Sequence, residues 1–255
     1  MSLIAILGDV HGDWHAMDIV LKSAIGTHNV DAVLQVGDFG YEWPGQKCWT
    51  PSKRRFKSLK DKKFPDDLPM YWVDGNHENF DVLFEDYGES QPRWTYIERG
   101  TTVNFEDIGT VLGIGGANSI DRDIRTPGHD WWPEEYPNYG DQIRAIRSVD
   151  AGPIHAVVSH EHPERFPYYD PRLNSSLKKE GEITRMLLDS IFQEAKPKFW
   201  FFGHHHDFNS GITDGCFWAC APIITSFTYL LWDGSSVWHC KATYGEEKTL
   251  IYEND

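Results

Sequence analysis

Leu3-Ile4-Ala5-Ile6-Leu7 is followed directly by Gly8-Asp9-Val10-His11-Gly12, and the expected class of fold follows from these ten residues. Five apolar residues in a row predict a short strand buried on both faces, as in a parallel or mixed sheet covered by helices. The chain then turns on glycine and places Asp9 and His11 at the carboxyl end of this strand. Ligands of open α/β sheets bind at that edge. An acid and a histidine two residues apart can offer an oxygen and a nitrogen to one metal ion, although an ordinary polar turn is the alternative for the motif taken alone.

Length and composition limit the class of protein. A chain of 255 residues can bury a full core, and its 11 Trp, 11 Tyr and 14 Phe argue against disorder over the whole chain. The formal net charge of −15 opposes stable binding to duplex nucleic acid. We expect no membrane span and no signal peptide, and therefore a cytoplasmic location. The cysteines form no C-x-x-C pair, which favours reduced thiols, and an alternative is a second metal site formed by Cys216, Cys220 and His239.

The pattern of a buried strand that ends in polar residues occurs four more times. Predicted strands at residues 32–36, 70–73, 154–159 and 199–202 are followed by Asp38, by Asn76 and His77, by His160, and by the run His204-His205-His206. Because the carboxyl ends of parallel strands meet at one edge of a sheet, we expect these side chains to surround one cavity. One ion cannot coordinate all of these carboxylate, amide and imidazole groups, but two ions about 3.5–4 Å apart could.

Helices are expected between the strands. Apolar residues at helical spacing predict a helix over residues 17–24 that Gly26 ends, and a short helix is expected over 79–87. Another predicted helix, terminated by Pro197, would pack through Ile183, Met186, Leu187 and Ile191. Residues 101–105 and 110–114 are typical of a hairpin. The apolar stretches 217–219, 229–232 and 237–239 would complete a second sheet.

Two long segments lack clean periodicity. Residues 41–67 predict an irregular loop followed by a short helix, whose basic cluster is either a solvated face or a positive rim for an anionic substrate. The segment 115–140 is the best candidate for a substrate loop, because an arginine could hold a phosphate through its N–H groups and a tryptophan could stack on a base. A loop packed on its own aromatic residues is the alternative. The candidate residues of this loop are Asn118, Arg122, Arg125, Trp131 and Trp132.

Taken together, five blocks resemble the calcineurin-like metallophosphoesterases, in the family's order and across most of the chain. They are Gly8-Asp9-Val10-His11-Gly12, Gly37-Asp38, Gly75-Asn76-His77-Glu78, the isolated His160, and Gly203-His204-His205-His206. The resemblance implies one domain over residues 1–255, folded as a four-layer α/β/β/α sandwich of two mixed sheets flanked by helices. It also implies a dinuclear centre of divalent transition-metal ions. Mn²⁺ is the first choice and Fe, Zn, Co or Ni are alternatives, since nitrogen and oxygen ligands without thiolate suit these metals better than Ca.

The resemblance assigns a role to each block. Asp38 would bridge the two ions, together with a water or hydroxide that attacks phosphorus directly. The remaining ligands would be Asp9, His11 and His206 for the first ion and Asn76, His160 and His204 for the second. His77 would contact the phosphate or protonate the leaving group, Glu78 would orient His77, and His205 would point away as a spectator.

One departure from the family pattern bears on the substrate. The protein phosphatases of the family extend the second block with Asp-Arg-Gly, whose arginine grips the phosphate, whereas Phe39-Gly40-Tyr41 follows Asp38 here. This argues against a phosphoprotein phosphatase and favours the small, phosphodiesterase-like bacterial and bacteriophage branch. The expected function is metal-dependent hydrolysis of phosphodiester bonds in small nucleotides, including 2′,3′- or 3′,5′-cyclic nucleotides. A phosphomonoesterase and a single-strand nuclease are alternatives, and a non-enzymatic scaffold is disfavoured because every ligand and His77 are present.

Overall fold

The computed structural model describes residues 2–44, 68–85, 94–168, 178–242 and 247–254, with the side chains of residues 178–182 left out. The predicted short helix and basic cluster before residue 67 lie outside these ranges. The strands and α-helices of the described ranges are β1 (Ile4–Leu7), α1 (Trp14–His28), β2 (Ala32–Gln35), β3 (Met70–Trp72), α2 (Phe80–Glu85), β4 (Trp94–Tyr96), β5 (Thr102–Phe105), β6 (Gly109–Ile114), α3 (Tyr139–Ala151), β7 (Ala156–Ser159), α4 (Lys178–Ala195), β8 (Phe199–Phe202), β9 (Asn209–Thr213), β10 (Cys216–Cys220), β11 (Thr228–Trp232), β12 (Ser236–Lys241) and β13 (Glu247–Glu253).

The strands form two mixed sheets. The first has the order β13-β12-β11-β1-β2-β3-β4, and the second has the order β5-β6-β7-β8-β10-β9. Strands β1 to β4 run parallel, as do β6, β7, β8 and β10, while antiparallel strands extend both sheets. The hairpin predicted around residues 101–114 is confirmed by the antiparallel pair β5 and β6. The expectation that residues 217–219, 229–232 and 237–239 share one sheet is wrong, because β10 joins the second sheet and β11 and β12 join the first.

Alternation along β1 shows how the sequence builds the layers. Ala5 and Leu7 face one side of the sheet and belong to the core under α1, whereas Ile4 and Ile6 face the other side. Their side of the sheet packs against the inward face of the second sheet, so that a middle apolar layer forms between the two sheets. A third core lies between the outer face of the second sheet and the helices α3 and α4. This arrangement confirms the predicted α/β/β/α sandwich.

Two details of the predicted helices are wrong. Helix α1 continues through Gly26 and ends at His28, because Asn29 takes the left-handed conformation and its N–H bonds to the Ile25 carbonyl. Gly26 sits in a regular turn of the helix, with open space where a side chain would lie.

The stripe that helix α4 buries matches the predicted one only in part, because Ile191 is buried and Leu187 is partly buried as expected. Its Ile183 and Met186 are 69% and 57% exposed, whereas Leu188, Ile191 and Phe192 are buried. The buried face of α4 is therefore defined by residues 188, 191 and 192, and hydrophobic spacing identified residue 191 but not the other two.

Other expectations concern the cysteines and the membrane. Cys216, Cys220 and Cys240 are buried free thiols. Cys216 and Cys220 lie on β10 of the second sheet and His239 lies on β12 of the first, so the described residues do not assemble the alternative cysteine site. No helix within the described ranges combines the length and the apolar character needed to cross a membrane.

Candidate metal centre

The predicted donor residues come together where the two sheets meet. Asp9 follows β1, Asp38 follows β2 and Asn76 follows β3 of the first sheet, whereas His160 and His204 follow β7 and β8 of the second. The sequence predicts that all of these donor residues lie at one edge of a single sheet. The structure corrects this expectation, because the site combines the strand ends of two facing sheets.

A first group of donor atoms comes from Asp9, His11, Asp38 and His206, and these atoms all lie within 4.8 Å of one another. The Nε2 atoms of His11 and His206 are 3.0 Å apart. Asp9 Oδ2 is 3.1 Å from His206 Nε2, and Asp38 Oδ2 is 3.5 Å from His11 Nε2. Two ligands bound at about 2.1 Å and at right angles would be about 3 Å apart, so these separations suit one transition-metal ion.

A second group comes from Asp38, His160 and His204. Asp38 Oδ1 is 3.2 Å from His160 Nε2, while the other oxygen, Oδ2, faces the first group. His160 Nδ1 lies 2.8 Å from the Val36 carbonyl and donates to it, which leaves Nε2 as the free ligand atom. Asp38 is therefore shared by both groups through different oxygens.

Asn76 completes the set of sequence-predicted ligands. Its backbone follows Gly75, which packs so closely on Asp38 and His160 that an added Cβ would lie 2.2 Å from Asp38 Oδ1. The Asn76 side chain is 2% exposed, and its Oδ1 has no hydrogen-bond partner among the described residues. A buried carbonyl oxygen without a partner is costly, and a cation would satisfy it. The donor set thus fits two divalent ions.

The backbone around the donors is unusual. His11, Asp38, His204 and His206 have φ values of 46°, 53°, 67° and 65°, in the left-handed region that side chains other than glycine rarely adopt. Such conformations persist where surrounding structure enforces them, and they concentrate at functional sites. The strand-to-loop turns therefore hold the donor side chains at a cost in local backbone energy.

Charge and burial set the protonation of these groups. Burial alone would raise the pKa of Asp9 and Asp38, but the nearby histidines outweigh it and lower the first to about 2 and the second well below its usual value. Burial lowers the pKa of His11 to about 4 and that of His204 to about 3. For His160, Asp38 outweighs burial and raises the pKa to about 10. At neutral pH Asp9 and Asp38 are ionised and His11 and His204 are neutral, whereas His160 carries a proton that it shares with Asp38 and that a bound cation would replace.

His77 lies beside the first group without belonging to it. Its Nδ1–H donates to Asp38 Oδ2 at 2.7 Å, and its backbone N–H donates to Asp38 Oδ1 at 2.8 Å. Glu78 does not orient His77 as expected. Its carboxylate accepts from the backbone N–H groups of Phe39 and Tyr41 at 2.7 and 2.6 Å, and so it fixes the loop that carries Asp38.

The predicted substrate loop delivers one arginine to the site. Arg125 Nη2 is 2.9 Å from His77 Nε2, and Asp121 holds Arg125 Nε at 2.6 Å. Arg122 instead bonds the Tyr136 hydroxyl at 3.2 Å and lies over the Trp131 ring. Of the two arginines that the sequence offered, the structure brings Arg125 to the donor groups.

Two other members of the predicted loop are buried. Trp132 is 3% exposed and its ring lies beside the rings of Trp43 and Phe80, so in this structure the ring is not open to the base that the sequence led us to expect. Asn118 is 4% exposed, and its Oδ1 accepts from the Thr184 hydroxyl. Trp131 is half-buried beneath Arg122.

Sequence analysis missed a buried carboxylate behind the second group. Glu161 Oε1 accepts from His205 Nε2 at 3.0 Å, and Glu161 Oε2 lies 3.3 Å from Arg185 and 3.9 Å from His204 Nε2. Burial alone would raise the pKa of Glu161, but Arg185 and the histidines hold it well below its usual value. His205 does point away from the first two groups, but it anchors this carboxylate instead of being a spectator. The sequence signal that could have identified Glu161 is its position directly after His160.

Comparisons with known proteins agree with this architecture. A structure from Thermus thermophilus has a TM-score of 0.62 and 15% identity, covering 98% of this chain and 99% of the other. A dimetal phosphatase from Danio rerio has a TM-score of 0.61 and 11% identity, covering 99% of both chains. The phosphopantetheinyl hydrolase of Mycobacterium tuberculosis has a TM-score of 0.52 and 15% identity, covering 88% and 90%. At these identities the likeness shows the fold alone.

At the level of sequence, no curated protein matches the chain. The family model of the calcineurin-like phosphoesterases, however, matches residues 2–208, which include all five motif blocks. The chain therefore belongs to the calcineurin-like phosphoesterase family, whose members are metal-dependent hydrolases that generally bind two divalent cations.

Proposed function

We propose that the chain is a phosphodiesterase that hydrolyses small nucleotides, including cyclic ones, with two divalent cations of which Mn²⁺ is the first choice. The observation that carries the proposal is the pair of donor groups that share Asp38, with His77 and Arg125 directly beside them. The first cation would be held by Asp9, His11, Asp38 and His206. The second would be held by Asp38, Asn76, His160 and His204.

Bound cations would activate a water for attack on phosphorus and neutralise charge on the phosphoryl oxygens. The protein's own groups would bind and orient the ester. Arg125 Nη2, now 2.9 Å from His77 Nε2, would transfer its N–H donors to a phosphate oxygen. This exchange would free Nε2 of His77 to take up a proton from solvent and give it to the leaving oxygen, while Nδ1–H stays on Asp38.

A diester is favoured over a monoester by charge. Arg125 offers one guanidinium beside the donor groups, which suits the single negative charge of a diester, and the Asp-Arg-Gly arginine of the phosphoprotein phosphatases is absent after Asp38. Trp131, half-buried, is the remaining aromatic candidate of the loop for contact with a base. A phosphomonoesterase or a single-strand nuclease remains the second candidate because both would use the same cations. A single domain over residues 1–255 and a cytoplasmic location stay predictions.

The experiment that tests the function compares bis-p-nitrophenyl phosphate, p-nitrophenyl phosphate, and 2′,3′- and 3′,5′-cyclic nucleotides, each with Mn²⁺ and with chelator. We expect chelator-sensitive turnover with a higher kcat/KM for the diesters than for the monoester. Preference for the monoester would replace the proposal by a phosphatase. Folded, metal-loaded protein without turnover on any of them would contradict an esterase of small substrates.

Replacing His77 tests the acid role. His77→Ala should lower kcat by about 10²–10⁴-fold, the usual contribution of a positioned acid or base. The loss should be smaller for p-nitrophenyl esters, whose leaving group needs little protonation, than for a cyclic nucleotide. Metal content, measured by mass spectrometry of the elements, should stay at the wild-type value. Equal losses on both kinds of ester would argue against proton transfer by His77.

Arg125 and Arg122 form a matched pair of substitutions in one loop. Arg125→Ala should lower kcat/KM for diesters by about 10–100-fold, the effect of removing a charge-assisted hydrogen bond worth about 1.5–3 kcal/mol. Arg122→Ala should stay within about threefold of wild type, because Arg122 is committed to Tyr136 and Trp131. The assignment of the phosphate contact to Arg125 is wrong if the two variants lose activity equally.

A further inference from the structure

Ser119 connects Asn76 to a buried carboxylate. The Asn76 amide nitrogen Nδ2 donates to Ser119 Oγ at 3.0 Å. Ser119 Oγ in turn donates to Glu135 Oε2 at 2.7 Å, and the Ser119 backbone N–H donates to Glu135 Oε1 at 2.8 Å. All three side chains are nearly inaccessible, with exposures of 2%, 2% and 0%. These bonds form a continuous chain, named here the Ser119–Glu135 relay, that ends at the amide of Asn76.

The relay has a direction that decides which way the amide faces. A carboxylate only accepts, so the Ser119 hydroxyl must give its hydrogen to Glu135 and has only its lone pairs left. Asn76 can satisfy those lone pairs only with its NH₂ group. The amide oxygen Oδ1 is then forced to the opposite side, where it is buried and lacks a hydrogen-bond partner among the described residues. Such outer partners commonly fix the orientation of metal ligands.

The carboxylate end of the relay is itself held in place by Arg99. Arg99 Nη2 donates to the Glu134 carbonyl and Arg99 Nη1 donates to the Tyr136 carbonyl, both at 2.8 Å. These bonds fix the backbone on either side of Glu135. Arg99 Nε also donates to Asp74 Oδ2 at 2.9 Å, two residues before Asn76. Arg99, whose side chain is 5% exposed, thus connects the backbone beside Glu135 to a residue close to Asn76.

We propose that Ser119 and Glu135 are positioning residues that orient the Asn76 amide oxygen toward the second donor group and thereby set the affinity of that group for its cation. The inference rests on the proposed function in one respect, since it takes Asn76 as a ligand of the second ion. Through Ser119 and Glu135, the segment 117–136 would help to position a ligand of the metal centre, separately from the substrate contact of Arg125.

The test measures binding of Mn²⁺ alone to the full-length, metal-free protein by titration calorimetry, with electron paramagnetic resonance at two equivalents. Ser119→Ala should weaken the second binding step by about 10–100-fold, the usual effect of losing an outer partner of a ligand, and leave the first step within about threefold. The spectrum should change from coupled pairs of ions to isolated ions. Wild-type affinity for both ions in the Ser119→Ala variant would overturn the proposal.

Glu135→Gln is a second variant of nearly the same shape. A glutamine NH₂ can donate to Ser119 Oγ, which reverses the relay and lets the hydroxyl donate to Asn76, so the second step should weaken again. Thr184→Ala is the matched control, because it removes a buried hydroxyl that bonds the same segment at Asn118 but does not touch the relay. It should keep the second affinity within about threefold. An equal loss in the control would assign the effect to packing of the segment and overturn the proposal.

A double-mutant cycle tests whether Ser119 acts on the second binding step through Asn76. In the Asn76→Ala background, Ser119→Ala should change the second binding step by less than about twofold, because the relay would have no ligand to orient. A further loss of tenfold in that background would contradict action through Asn76. Substrate is absent from every measurement. Wild-type protein that binds two ions but fails on diesters therefore overturns the proposed function alone, whereas protein that binds only one ion overturns both.

Discussion

Asp38 carries the buried charge around which the surrounding strand ends and loops are arranged. It is a fully buried carboxylate whose two oxygens face different donor groups, and a buried charge is stable only where neighbouring groups compensate it. The histidines of both sheets provide that compensation, so the position of Asp38 fixes where the ends of β1, β2, β7 and β8 must meet. The middle apolar layer between the sheets holds those strand ends at the required separation.

The loops around Asp38 are built to hold an arrangement that their own backbones disfavour. Four of the donor residues are left-handed, and Gly75 lets the chain pass against Asp38. Glu78 accepts from two N–H groups of the loop that follows Asp38. Burial together with the nearby Asp38 charge raises the pKa of Glu78 well above its usual value, and the two N–H donors lower it only in part. Buried hydrogen bonds of this kind preorganise a site that would otherwise relax.

The sequence predicted the parts of the site whose signal is local. Each donor stands within a few residues of an apolar strand, so its place at a strand end could be read without knowing the fold. Glu161 and His205 are 44 residues apart and follow neighbouring strands of the second sheet, so their pairing depends on the strand order. Asn76 and Ser119 are 43 residues apart and follow strands of different sheets, so their pairing depends on how the two sheets pack. Tertiary packing also explains why Trp132 is buried and which face of α4 is buried, because neighbouring segments decide which apolar side chains are covered. The pairing of β11 with β1, and of β12 with β11, likewise follows from tertiary contacts.

Metal stoichiometry tests whether one carboxylate, that of Asp38, joins the two cation sites. Wild-type protein and Asp38→Ala would be loaded with Mn²⁺, passed over a desalting column, and analysed for manganese per chain beside a circular-dichroism spectrum. We expect two ions per chain for wild type and fewer than one for a folded Asp38→Ala variant. Retention of two ions by that variant would contradict the bridging role of Asp38.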